Sequence, residues 1–130
     1  MVEPAWVAAK NAKAYNSVVR ESIAERIERE VASWPDVSVE PHRFGGCEFR
    51  VGRRELGHLH GNRLADLPFP VRVREQLVRE GKAQPHHILP ESGWVSRRIR
   101  SEADVIDVIA LFRMNYERSW RPGPWLVTVG

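Results

Sequence analysis

The sequence of 130 residues is poor in two residue types that build particular sites: it has one cysteine, Cys47, and three lysines, Lys10, Lys13 and Lys82. A single thiol excludes an internal disulfide and a zinc site made of several cysteines, and it suits a reducing compartment. No apolar run approaches the roughly 20 residues that a membrane-spanning helix needs, and the N-terminus lacks the features of a signal peptide. We therefore expect a cytoplasmic protein without a membrane partner.

Because lysine is scarce, the positive charge is carried mainly by arginine. The chain has 20 basic and 17 acidic side chains, which gives a net charge of +3, and the excess lies in the middle third. Arginine binds phosphate through paired hydrogen bonds, so nucleic acid is one conceivable partner. The interleaved acidic residues and the modest net charge favour an ordinary solvated surface instead. The candidate anion-binding residues are Arg53, Arg54 and Arg98.

Hydrophobic residues make up 42% of the chain and charged residues 28%, a balance typical of one globular domain. We predict a helical N-terminal extension at 1–14, a core at 15–119 and a C-terminal tail at 120–130.

Helical periodicity dominates three segments. Apolar residues recur every three or four positions from Tyr15 to Trp34, which predicts a long amphipathic helix ended by Pro35. A second helix is predicted to begin at Pro70, with Gly81 just beyond its C-terminus. Ser101 is suited to cap a third helix, whose predicted buried face consists of Val105, Val108, Ile109, Phe112 and Tyr116.

Between these helices the period changes to two, which is typical of strands. Strands are predicted near residues 37–39, 47–51, 54–60 and 94–99, and a further short one at 63–67. The order predicts an α+β fold of two layers, α-β(3)-α-β(2)-α with one possible extra strand. One antiparallel sheet covered by helices on one face buries these apolar stripes most simply, and its other face stays open to a partner.

Four segments carry a resemblance to a known family: 52–60 (GRRELGHLH), 65–70 (ADLPFP), 85–87 (PHH) and 92–96 (SGWVS). Together they resemble the small proteins classified as luciferase-domain proteins. The later part of the chain is also similar to the YjbR/MmcQ-type family, which implies a secretion-chaperone-like fold. The first resemblance names no reaction, and nothing in the sequence indicates light emission. YjbR-type proteins are described as DNA-binding, without an established reaction.

Histidines supply the most reactive pattern in the sequence. His58 and His60 lie two apart on a predicted strand and so share a face, which the alternation with Leu59 places away from the helices. The luciferase-domain resemblance adds a later histidine, matched by His86. These three imidazoles could bind a zinc-like ion or supply a general acid or base; surface histidines without a ligand are the alternative. Trp94 could line the same face as a stacking wall.

The carboxylate that would orient a metal-bound histidine is not settled by the sequence. A two-residue turn at Gly61 and Asn62 would place Asp66 on the face opposite the histidines, whereas a three-residue loop would place it beside them. Strict alternation places Glu55 on the opposite face. Cys47 alternates with apolar Phe49, which predicts a buried, inert thiol.

Three functional hypotheses follow. The first is a binding module that uses the open sheet face for a small molecule, a protein or a second copy of the chain. The second is a small histidine-dependent hydrolase or lyase, with or without a metal. The third is a nucleic-acid-binding protein that uses the central arginines. No cofactor is assigned by the sequence.

Overall fold

The computed structural model describes residues 21–42 and 45–119. The predicted extension at 1–14 and the predicted tail at 120–130 lie outside the described residues, so both stay predictions. The described helices are α1 (Ile23–Ala32), α2 (Val71–Arg79) and α3 (Glu102–Ser119). The described strands are β1 (Val37–Pro41), β2 (Cys47–Val51), β3 (Arg54–His60), β4 (Leu64–Pro68), β5 (Gln84–Pro85) and β6 (Trp94–Arg98).

The six described strands form one sheet in the order β1-β2-β3-β4-β6-β5, and every neighbouring pair is antiparallel. Four strands precede α2, so the extra short strand of the prediction is present as β4. The α+β class, with helices packed on an antiparallel sheet, is confirmed.

The helices begin at local caps that the sequence encodes. The Ser22 side chain accepts a hydrogen bond from the Glu25 backbone, and Glu25 accepts one from the Ser22 backbone, so α1 begins at Ile23. The prediction of a helix running through residues 21 and 22 from Tyr15 is therefore wrong at that point. Its predicted end before Pro35 is confirmed. Within residues 21–42 and 45–119, no helix has the length and apolar character required to cross a membrane.

One face of the sheet forms the hydrophobic core with the helices, and we call it the helix face. Phe49 of β2 and Phe112 of α3 are both fully buried, with ring centroids 5.0 Å apart. Leu59, Leu67 and Val95 are also fully buried in this cluster. Burial of each such side chain stabilises the fold by roughly 1.5–3 kcal/mol. The opposite face, called the outer face below, carries the polar residues of the same strands.

Gly57 permits close packing between the sheet and α3. A Cβ atom at this position would lie 2.7 Å from the Asp66 carbonyl oxygen and 2.9 Å from the Phe112 ring. The backbone also has a φ of 150° here, which favours glycine. The middle of β3 therefore has room for Phe112 only because residue 57 has no side chain.

Candidate functional site

The loop between β3 and β4 determines which side chains join the histidines. His58 pairs with Asp66 and His60 pairs with Leu64, so three residues, 61–63, separate the two strands. Side chains that face each other across paired strands lie on the same face. Of the two loop lengths that the sequence allowed, the structure has the three-residue loop, and Asp66 lies beside the histidines on the outer face.

A β-bulge brings a second carboxylate to the same face. Phe49 pairs with Gly57, but Arg50 pairs with Glu55, which leaves Leu56 as the extra residue of β3. The bulge reverses the alternation, and the Glu55 carboxylate lies 2.7 Å from His58 Nδ1. The expectation that Glu55 faces away from the histidines is therefore wrong.

Asp66 is the centre of the outer face. Its side chain is fully buried, and its Oδ2 lies 2.8 Å from His60 Nε2 and 3.4 Å from both His58 Nε2 and His86 Nε2. Ser96 Oγ donates a 2.6 Å hydrogen bond to Oδ1. A buried carboxylate needs such donors to offset its desolvation, and four side chains supply them here.

The backbone around His86 fixes which of its ring nitrogens carries hydrogen. His86 Nδ1 accepts hydrogen bonds from the backbone N–H groups of Ile88 and Leu89, both at 3.1 Å. A backbone N–H can only donate, so Nδ1 must present its lone pair. The proton of neutral His86 is therefore on Nε2, directed at Asp66. Trp94 lies against the cluster, with its ring centroid 6.1 Å from that of His86.

Two further histidines complete a cluster that contains all five histidines of the chain. The His42 ring stacks on His58 with centroids 4.3 Å apart, and His87 stacks on His86 at 4.5 Å. His58 and Trp94 join the two halves, with centroids 5.4 Å apart. His42 lies in the loop between β1 and β2. No spacing pattern in the sequence indicates where a loop side chain points, so its place in the cluster was not predicted. We call these five rings the histidine cluster.

The outer face is shielded at its centre and open at its rim. His58 is 8% exposed and His86 is 9% exposed, because His42 and Trp94 lie against His58 and His87 stacks on His86. His60 keeps a side-chain exposure of 32%. The sheet face is therefore less bare than the alternation alone predicts, and solvent reaches the cluster at His60 and at the exposed His87.

Charges on the outer face shift several pKa values. Burial opposes protonation of His58, but the hydrogen bonds to Asp66 and Glu55 outweigh it and raise the pKa of His58 to about 9. Burial alone would raise the pKa of Asp66, yet the hydrogen bonds from His58, Ser96 and His60 hold it well below its usual range. Burial lowers the pKa of His86. At neutral pH a cationic His58 therefore lies between two carboxylates.

Among the residues that the structure describes, two sets of side chains have the proximity that metal coordination requires. One is His58, His60 and Asp66, and the other is Asp66, His86 and His87; in each set the ligand atoms lie within 4.8 Å of one another. Both sets share Asp66, the residue whose face could not be decided from the sequence.

The three candidate anion-binding arginines are not brought together. Arg54 lies on the helix face, where it donates a 2.8 Å hydrogen bond to Asn115 of α3. Arg53 is exposed in the turn before β3. Arg98 of β6 pairs with Leu64 of β4, and Leu64 pairs with His60 at the other end of β3. At about 3.3 Å per residue, the length of β3 separates Arg53 from Arg98.

Cys47 is less buried than the sequence pattern predicted, while its raised pKa agrees with the predicted unreactive thiol. Cys47 is half-buried, and burial together with the charge of Glu28 raises its pKa to about 11. Few thiolates form at neutral pH in such a setting.

Comparison with known families identifies part of the chain. Residues 53–115 match the family model described as a luciferase domain. This segment, just under half of the chain, is similar to the luciferase-domain family. The match covers β3 through most of α3 and includes His58, His60, Asp66 and His86, while His42 lies outside it. None of the curated proteins and none of the solved structures matches the chain significantly, so the similarity to YjbR-type proteins stays a prediction.

Proposed function

We propose that this protein binds a small ligand at the outer face, against the open rim of the histidine cluster. The observation that supports the proposal most strongly is that three histidines contact one fully buried carboxylate, and the other two histidines of the chain stack on them. Burying ionisable groups costs free energy that a purely structural face can avoid with apolar side chains. Groups with shifted pKa values also concentrate at functional sites.

The chemistry of the rim favours a neutral or cationic ligand. Glu55 and Asp66 contact the cluster directly, and Glu48 lies 4.0 Å from His42. His60 and Trp94 add a hydrogen-bonding ring and an aromatic wall. A polyanion would be repelled by the carboxylates, so this face does not favour nucleic acid.

Contacts of the central arginines also argue against a nucleic-acid surface. Arg50 pairs with Glu48, and Arg74 donates hydrogen bonds to the backbone carbonyls of Pro90 and Ser92. These guanidinium groups are occupied within the chain.

Location and oligomeric state belong to the same proposal. A chain with one half-buried thiol gains nothing from an oxidising compartment, which favours the cytoplasm. A second copy of the chain is the other occupant that this face could accept.

Nuclear magnetic resonance tests the proposal directly. We expect members of a small polar fragment set, titrated into the chelator-treated protein, to shift the amide and ring signals of His60 and Trp94. The His60→Ala variant should lose these shifts, whereas the exposed control Arg72→Gln on α2 should keep them. Fragments that bind only elsewhere, or equally well to His60→Ala, would contradict the proposal. Concentration-dependent broadening at these signals without fragments would indicate the second copy instead.

A hydrolase or lyase reaction at this face is the second candidate. The Glu55–His58 contact favours it, because a carboxylate that orients an imidazole is a common general acid–base arrangement. A panel of ester, phosphoester and carbonyl substrates tests it, and turnover unchanged in His58→Gln would exclude this pair as its origin.

A further inference from the structure

We propose that His58, His60 and Asp66 together bind one divalent transition-metal ion of the zinc type. The proposal rests on the outer face being the binding surface of this protein, and it names an ion as part of what that surface binds. It replaces the ligand set suggested by the sequence, in which His86 was the third ligand, with one in which Asp66 takes that place.

The ligand atoms already lie at the separations that a metal imposes. Ligands at 2.0–2.1 Å from a tetrahedral zinc ion are about 3.3 Å apart. Asp66 Oδ2 lies 2.8 Å from His60 Nε2 and 3.4 Å from His58 Nε2, and all three ligand atoms lie within 4.8 Å of one another. Small ring rotations, with release of the Nε2 protons of His58 and His60 to solvent, would therefore place one ion among them.

Neighbouring side chains orient two of the three ligands. Glu55 accepts a hydrogen bond from His58 Nδ1–H, which leaves Nε2 of a neutral His58 ring with its lone pair toward Asp66. Ser96 donates to Asp66 Oδ1, which leaves Oδ2 directed at the histidines. A carboxylate that accepts a hydrogen bond from the other ring nitrogen is a common partner of a zinc-bound histidine.

The alternative set, Asp66 with His86 and His87, fails on the tautomer of His86. Its Nδ1 accepts two backbone N–H groups, so a neutral ring carries its hydrogen on Nε2 and has no lone pair there to offer a metal. If the hydrogen moved to Nδ1, it would face the two backbone N–H donors, and both of their hydrogen bonds to His86 would be lost. His86 is therefore a hydrogen-bond donor to Asp66, and it can remain so beside a bound ion because a carboxylate oxygen has two lone pairs.

The ligand types identify the class of ion. Two imidazoles and one carboxylate suit zinc, iron(II) or cobalt(II), whereas magnesium and calcium prefer oxygen ligands alone. Three protein ligands leave at least one coordination position open. Because His60 is 32% exposed, that position lies on the side that solvent and a small ligand can reach.

Metal titration of the full chain tests the proposal. After chelator treatment and removal of the chelator, we expect calorimetry to show one zinc ion bound per chain and cobalt(II) to develop visible absorption, with no response to magnesium. His60→Ala should weaken zinc binding by more than the roughly 10–100-fold expected of an outer partner, and Glu55→Gln should weaken it within that range. His87→Ala is the matched control and should bind zinc like the wild type.

Two outcomes would overturn the proposal. One is no stoichiometric zinc binding by a wild-type chain that unfolds cooperatively. The other is zinc binding that survives His60→Ala and is lost in His87→Ala, which would assign the ion to the other set. The fragment titration uses chelator-treated, metal-free protein. Failure of zinc binding with fragment binding intact therefore refutes the metal alone, and failure of both refutes the proposed function as well.

Discussion

The two faces of the sheet are built from the same strands but are held together by different forces. On the helix face, Leu59 and Phe49 alternate into an apolar core that contacts α3. On the outer face, His58 and Asp66 occupy the intervening positions and are buried through hydrogen bonds rather than apolar contact. Apolar burial tolerates imprecise geometry, whereas buried charge requires every partner. We therefore expect the helix face to contribute most of the stability, and we propose the outer face as the binding surface.

The largest effect on stability should come from the helix face. Phe112→Ala removes a fully buried ring that packs on Phe49, and we expect a loss of roughly 3–5 kcal/mol in the free energy of unfolding. Urea denaturation followed by circular dichroism measures it. His60→Ala removes one of the hydrogen bonds to the buried Asp66 carboxylate and should cost less, roughly 1–3 kcal/mol. Equal losses in the two variants would break the comparison between the faces.

Asp66→Asn should be the most damaging conservative change on the outer face. The amide keeps the shape of the carboxylate but removes the charge that His58, His60 and His86 contact. We expect a loss of roughly 1.5–3 kcal/mol in urea denaturation with chelator present. The same substitution should cost less in a His58→Gln background, because the two side chains interact. Strict additivity of the two changes would show that the charge pair contributes nothing.

Because His58 is charged in the folded chain, the free energy of unfolding should fall as the pH rises into the alkaline range. The pKa of His58 rises from an ordinary 6.5 to about 9 in the folded chain, so folding favours its protonated form. This stabilisation is complete below about pH 6.5 and is lost as the pH rises through 9. With chelator present, unfolding free energies at pH 6.5 and 9.5 should differ more in the wild type than in His58→Gln. An identical difference in both proteins would contradict the assigned charge.

The smallest effect concerns Cys47, whose chemistry should leave the outer face unaffected. With a pKa of about 11, its thiol should react with iodoacetamide at pH 8 roughly 100-fold more slowly in the folded than in the urea-unfolded chain. Mass spectrometry of timed samples measures the two rates. Equal rates would mean that this thiol is a reactive group and that the helix side of the sheet also carries chemistry.

The helix face was the predictable part of the molecule. The alternation through Leu59 and the stripe through Phe112 depend only on the periods of strands and helices. The β-strand boundaries followed from Gly52 and Gly61, which the turns require with φ values of 60° and 59°. These signals are local, and the family resemblance across residues 52–96 agreed with them.

The outer face depended on details that the sequence does not encode locally. One inserted residue in β3, Leu56, moved Glu55 onto the face of His58, and one additional loop residue did the same for Asp66. A change of one residue in register reverses every side chain beyond it. The position of His42 depends on a loop, for which no periodicity exists. The helix boundary at residues 21 and 22 depends on the cap formed by Ser22 and Glu25, which the apolar periodicity does not reveal.

The most direct test of the account is the protonation of the histidine nitrogens, read from long-range ¹H–¹⁵N spectra of the full chain. Without metal at neutral pH, the account predicts His86 as the Nε2–H tautomer and His58 protonated on both nitrogens. One equivalent of zinc should then shift the Nε2 signals of His58 and His60 and leave the tautomer of His86 unchanged. A His86 ring protonated on Nδ1 would contradict the arrangement around Asp66 on which both proposals depend.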